Sequence, residues 1–235
     1  MSDVIAIGPF LFRTNWLVWL LSGISGYVFL HFLLTERKEY RDKIEALLSN
    51  ALLYYLAIWK ISPALFDPSL FLNNPLSILY LPSGNKGVLL GIVVASISVF
   101  IGAYRAKIPI YVLTNSLIAF YVMAGFVYYL FQRQYGAPIL QGSWHVGLTH
   151  HPIHLYKLLL FFLFIVWVLL RKKPINFPGH TYFFLILFSI GQLLITFFAG
   201  QHSYFLGLSK LQVWNISMLM FGVVGKVLLW KKERN

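Results

Sequence analysis

Long apolar runs alternate with short polar gaps along this chain, and the runs set its architecture. A helix needs roughly 17 to 25 apolar residues to cross the hydrocarbon core of a bilayer with its backbone satisfied internally. Runs that meet this need fall at 16–34, 45–61, 87–104, 109–131, 155–170, 181–198 and 211–230. The pattern predicts an all-α integral membrane protein, one transmembrane domain over 1–235 with seven spanning helices. The second run is bounded by Glu45 and Lys60 and leads into an arm at 66–84, apolar and aromatic but broken by Pro68, Pro75 and Pro82. Proline opposes a continuous helix, so the arm is expected to lie along the membrane interface and to shape a lateral opening to lipid. The first run has only Arg13 as a basic residue just before it and is too long for a signal-peptide core, so it is expected to stay as a helix.

The polar gaps supply the orientation. Arg37, Lys38, Arg41 and Lys43 follow the first run, Arg105 and Lys107 the third, Arg171, Lys172 and Lys173 the fifth, and Lys231, Lys232 and Arg234 the seventh. The other gaps hold isolated cations, Lys86, Arg133 and Lys210, with Arg13 ahead of the first run. Basic gaps face the cytoplasm, which predicts an outside N-terminus and a cytoplasmic C-terminus. Trp16, Trp59, Trp144, Trp214 and Trp230 lie near predicted span ends, where indole rings favour the interface.

Composition narrows the chemistry. The chain is 59% hydrophobic, 18% aromatic and only 11% charged, against about a quarter charged in ordinary soluble domains. The formal net charge of +12 lies in the gaps rather than along one amphipathic face, so it reads as topology and not as a nucleic-acid surface. There is no cysteine, which removes disulfides, thiolate metal sites and a cysteine nucleophile. Asp and Glu are confined to Asp3, the 36–45 gap, Asp67 and Glu233, so no predicted span holds a carboxylate within it and carboxylate pumps or paired-carboxylate hydrolysis are disfavoured.

The densest polar cluster is His145, His150, His151 and His154, ahead of the fifth span. Three readings stay open: His150, His151 and His154 as zinc or copper ligands, interfacial imidazoles at a helix start marked by Pro152, or one histidine as a general base. A second candidate is Gly84-Asn85-Lys86-Gly87, opening the third span, where Lys86 and the free backbone donors at Gly87 suit a phosphate. With Arg13, Arg133, Lys157 and Lys210 on the same side, these residues make an anionic lipid headgroup site; the plainer reading is cations snorkelling to the interface. Asn115, Ser116 and Gln192 are the interior polar residues expected to bridge helices.

The order of these segments resembles the bacterial prolipoprotein diacylglyceryl transferases from end to end. Ile7-Gly8-Pro9 resembles the family's opening, Asn74-Pro75-Leu76-Ser77-Ile78-Leu79 before Gly87-Val88-Leu89-Leu90-Gly91 its Asn-Pro-Leu arm and following helix. His151-Pro152 with Leu155-Tyr156 is similar to the family's His-Pro-Ser-Gln-Leu-Tyr-Glu segment, and Gly207-Leu208-Ser209 with Gln212 to the start of its last span. The resemblance implies seven spans, a bacterial cytoplasmic membrane, phosphatidylglycerol as lipid partner and a lipoprotein precursor, or another membrane protein, as protein partner. Together with the histidine cluster it leaves His151, His154 and Tyr156 as candidate catalytic residues, and no cofactor is expected. The family's catalytic positions are altered here. Asn85 or Lys86 stands at the family's histidine, Phe126-Val127-Tyr128-Tyr129-Leu130 at its Arg-Leu-Gly-Asn-Phe signature, Phe188 and Gln192 at a tyrosine and an arginine, and Asn15 at a tyrosine. The expectation is a divergent relative that binds anionic phospholipid, or an acylated or membrane-anchored protein segment, without the standard reaction. An active transferase and a histidine-based metal-handling protein are the alternatives.

Overall fold

The computed structural model describes residues 4–7, 10–73, 84–139, 149–171, 177–200, 204 and 206–234, with side chains from Thr14 onward apart from 70, 71 and 73. Six helices among the described residues are long and apolar enough to cross a membrane. They are α1 (Thr14–Leu33), α2 (Lys38–Phe66), α4 (Asn85–Arg105), α5 (Ile110–Phe131), α7 (Gly179–Phe198) and α8 (Lys210–Arg234). The short α3 (Pro68–Asn73) follows α2, and α6 (Ile153–Leu169) is apolar but only 17 residues long. At about 1.5 Å per residue α6 lies at the short end of the range that crosses a hydrocarbon core. Its predicted run began at 155 and ended at 170; in the fold, extended backbone through Pro152 precedes the helix and a turn at Leu170 ends it.

A two-stranded antiparallel hairpin, β1 (Val4–Ile7) and β2 (Phe10–Arg13), precedes α1, pairing Val4 with Arg13 and Ile7 with Phe10. The second predicted run, 45–61, is the middle of a longer helix that extends beyond it at both ends. α2 takes in the charged gap from Lys38, where Lys43 donates to Glu39 one turn earlier at 3.0 Å, and carries Pro63 inside its last turn. Of the predicted arm, Phe66 closes α2, 68–73 form α3, and 74–83 lie outside the described residues.

The chain divides into two compact units, Met1–Phe32 with Thr114–Asn235, and Leu33–Leu113. The second is built on α2 packed against α4. Close approach is possible because Gly91 faces Tyr55, whose ring would lie 2.9 Å from an added Cβ, and Gly102 faces Leu47.

The first unit gathers most of α1 and α5, with α6, α7 and α8. On α1, Ser22, Gly26 and Leu30 recur every fourth residue and form the buried face, with Gly26 seated against the Phe120 carbonyl of α5. The core is aromatic: Phe161 and Phe164 from α6 meet Phe184 and Phe188 from α7 around Val122. Phe184 and Phe188 stack at 5.0 Å, and Phe164 meets Phe184 edge-on at 4.9 Å. Outward faces carry exposed Trp19, Phe197 and Phe221, the surface expected where lipid is the solvent.

Candidate functional site

After α5 the chain runs extended and folds back on itself before α6. Ile139 N–H donates to the Thr149 carbonyl (3.0 Å), His151 N–H to the Ala137 carbonyl (3.0 Å) and Gly136 N–H to the His151 carbonyl (2.8 Å). This antiparallel ladder also ties down α7, because Ala137 N–H donates to the Phe198 carbonyl at 2.9 Å. Gly136 is required by the crowding: an added Cβ would run into that Phe198 carbonyl and Ile153. Gly200, with φ +62°, turns the chain away from α7 against Ala137.

The ladder brings two polar groups to the start of α6. In the first, the His151 Nδ1 and the Tyr156 hydroxyl lie 3.2 Å apart, both against the Phe198 ring at 4.9 and 5.7 Å. In the second, His154 and Lys157 sit three residues apart on one helix face and hold Gln134 between them. His154 Nδ1 lies 2.9 Å from the Gln134 carbonyl, while Lys157 Nζ donates to Gln134 Oε1 (3.1 Å) and to the Tyr129 hydroxyl (3.2 Å). The ammonium also stands 4.7 Å from the centre of the Tyr129 ring. Nearby, Gln132 Nε2 donates to Asn15 Oδ1 at 2.6 Å, joining the end of α5 to the start of α1.

Lys157 is partly buried, and none of its described neighbours is a carboxylate. The sequence makes this understandable, since no Asp or Glu occurs between Asp67 and Glu233. Its partners are neutral oxygens and a ring, which orient the charge without cancelling it.

The predicted headgroup residues are divided between the two units. Lys86, its ammonium 5.7 Å from the Phe66 ring centre, and the buried Gly87 belong to Leu33–Leu113. Lys157, exposed Arg133, and Lys210, whose ammonium lies 4.8 Å from the Tyr204 ring centre, belong to the other unit, as does Arg13 at the end of β2. Among the described residues His150, His151 and His154 do not converge as metal ligands. His150 pairs with the Thr149 hydroxyl at 3.1 Å while His151 and His154 are engaged separately, and no three candidate ligands cluster among the described residues. His145 lies outside them.

Asn115 joins α5 to the start of α7. Its Nδ2 donates to the Phe177 carbonyl (3.1 Å) and its Oδ1 accepts from Thr181 Oγ1 (2.8 Å). Ser116 is fully buried, but its Oγ has no hydrogen-bond partner among the described residues. Gln192 is partly buried on α7, with no bridging hydrogen bond among the described residues. Ser209 and Gln212 form a reciprocal cap on α8: Ser209 N–H donates to Gln212 Oε1 (2.8 Å), and Gln212 N–H to Ser209 Oγ (3.3 Å). The Ser-x-x-Gln spacing in the sequence is the signal for that cap. Tyr129 and Gln134, the partners of Lys157, have no comparable local signal. Lys226 does, as a lone cation inside the last apolar run.

Comparison of the chain with models of known protein families gave no match, and comparison with curated protein sequences gave none.

Proposed function

We propose that this chain is a multi-pass protein of a bacterial cytoplasmic membrane, with a scaffold of the diacylglyceryl transferase type, that binds an anionic phospholipid headgroup without the family's standard reaction. Phosphatidylglycerol is the ligand the resemblance favours, with the acylated segment of a membrane-anchored protein as a second occupant. The observation that carries the reading is Lys157: an ammonium held by Tyr129 and Gln134 at a helix end, with no described carboxylate beside it. A cation at a membrane boundary attracts anionic lipid. Tyr129 also stands within the segment that resembles the transferase signature, so α6 supplies a positive charge where that signature has lost its arginine. In this reading the N-terminus and the α5–α6 junction face outside, and the C-terminus faces the cytoplasm. The test is phosphatidylglycerol binding against phosphatidylcholine in nanodiscs. Lys157→Gln is expected to weaken the preference about fivefold, the effect of one interfacial cation; an unchanged preference in folded protein rejects the site.

The phenol–imidazole pair of Tyr156 and His151 supports one alternative, the active transferase. There, a lipoprotein thiol would lose its proton to His151, its sulfur would bond the glyceryl carbon, and glycerol phosphate would leave with the electrons of the broken C–O bond. Complementation of a transferase-depleted cell, with label transfer to a lipobox peptide, decides it: transfer abolished by His151→Ala supports the reaction, and no transfer by folded protein excludes it.

A further inference from the structure

The opposite end of the first unit carries a separate group of cations. α6 and α7 pack antiparallel, with Phe164 against Phe188 and Phe184, and Trp167 against Phe183 and His180. Continued past the end of α6, that register brings Arg171 beside the first turn of α7. α7 and α8 also pack antiparallel: Gly222 faces Ile186 and Gly225 faces Tyr182, both at distances that admit no Cβ without displacement. The same register brings Lys226 to Gly179, where its Nζ would lie only 3.1 Å from an added Cβ. Arg171 and Lys226 thus flank the first turn of α7 from two neighbouring elements.

Both cations rest on aromatic platforms. The Arg171 guanidinium lies 3.8 Å from the Trp167 ring centre and 5.3 Å from that of Phe183, and those two rings stack at 5.5 Å with 12° between their planes. A guanidinium held over an indole keeps a fork of donors suited to phosphate. Partial burial lowers the Arg171 pKa from its ordinary value, yet arginine stays charged at any pH a cell reaches. Lys226 stands 5.8 Å from the centre of Phe177, whose ring lies 5.1 Å from His180. Asn115 fixes this segment through the Phe177 carbonyl. Neither cation has a carboxylate partner among the described residues, and both lie where the helix dipole of α7 is already positive.

We propose that the α6–α7 end of the first unit is a second anionic-lipid site, at which Arg171 and Lys226 take the phosphates of membrane phospholipid from two flanks of α7. Charge complementarity selects the occupant: the surrounding helix faces are apolar, so the anion that meets them belongs to a membrane headgroup. Lys226 lies more than one helical turn before the terminal basic residues Lys231, Lys232 and Arg234, and its packing at Gly179 gives it a fixed place. This site is independent of Lys157, which lies at the other end of α6.

Native mass spectrometry of the full chain, counting phosphatidylglycerol retained against phosphatidylcholine, tests the proposal. The double substitution Arg171→Gln with Lys226→Gln is expected to weaken retention about fivefold for each charge removed, while Arg171→Lys with Lys226→Arg retains most of it. Loss from Lys157→Gln but none from the Gln pair overturns this site and leaves the other intact; the reverse outcome overturns the Lys157 site alone. Inorganic phosphate competing as well as the lipid would show a free-phosphate site and overturn the lipid assignment. If the Gln pair does not fold, wild-type protein with a headgroup-photoreactive phosphatidylglycerol decides: adducts at Trp167, Phe177 or His180 support the proposal, and adducts confined to the α5–α6 end overturn it.

Discussion

Single positions in the first unit are held by contact distance as much as by chemistry. Gly125 sits against the Phe161 ring, with an added Cβ only 2.5 Å from it, and Phe161 is buried at the centre of the aromatic core. Gly125→Ala is expected to destabilise the protein by about 1–3 kcal/mol through overpacking, read as a lower midpoint of thermal unfolding in detergent, whereas Gly23→Ala, with open space around its Cβ, should leave the midpoint nearly unchanged. Asn115 was legible in the sequence as an interior amide needing partners. Its actual partners, Thr181 and the Phe177 carbonyl, were not, because they lie more than 60 positions away. Gln134 shows the same limit: its side chain is meaningful only once the backbone ladder has carried His154 and Lys157 back to it.

Helices were the most readable elements, since a run of apolar residues long enough to span a bilayer carries its own signal. The predicted start at 211 for the last run and the observed start of α8 at Lys210 agree because Ser209 and Gln212 close the helix locally. Ser209→Ala is expected to cost about 1 kcal/mol and to raise amide exchange in the first turn of α8 while leaving the turns beyond Gly222 protected. The second run was less readable. Its charges looked like a loop, yet Lys43 and Glu39 pair at one-turn spacing and the helix continues through them. α6 is the opposite case: its helix opens at Ile153, two residues ahead of the predicted run, directly where the ladder ends at His151.

The protein as a whole combines many apolar faces with an uneven distribution of charge, and that unevenness carries the proposed orientation. The lack of native cysteine makes the orientation directly measurable. In intact cells, Thr149→Cys is expected to react with an impermeant maleimide and Glu36→Cys only after the membrane is opened; the reverse pattern would invert the topology. Charge alternation is the sequence signal on which this proposed orientation rests, whereas no signal marked the division of predicted headgroup residues between two units, since hydrophobic runs do not state which helices pack together. The ladder between Ile139 and Thr149 has a further consequence for how such a protein can change. Its backbone hydrogen bond closes the intervening segment at its base, so lengthening that segment costs little extra closure entropy and need not move Gln134 or Lys157. On the proposed orientation, a reporter epitope grafted between Ile139 and Thr149 is expected to be accessible from outside the cell while Gln134 and Lys157 keep their places.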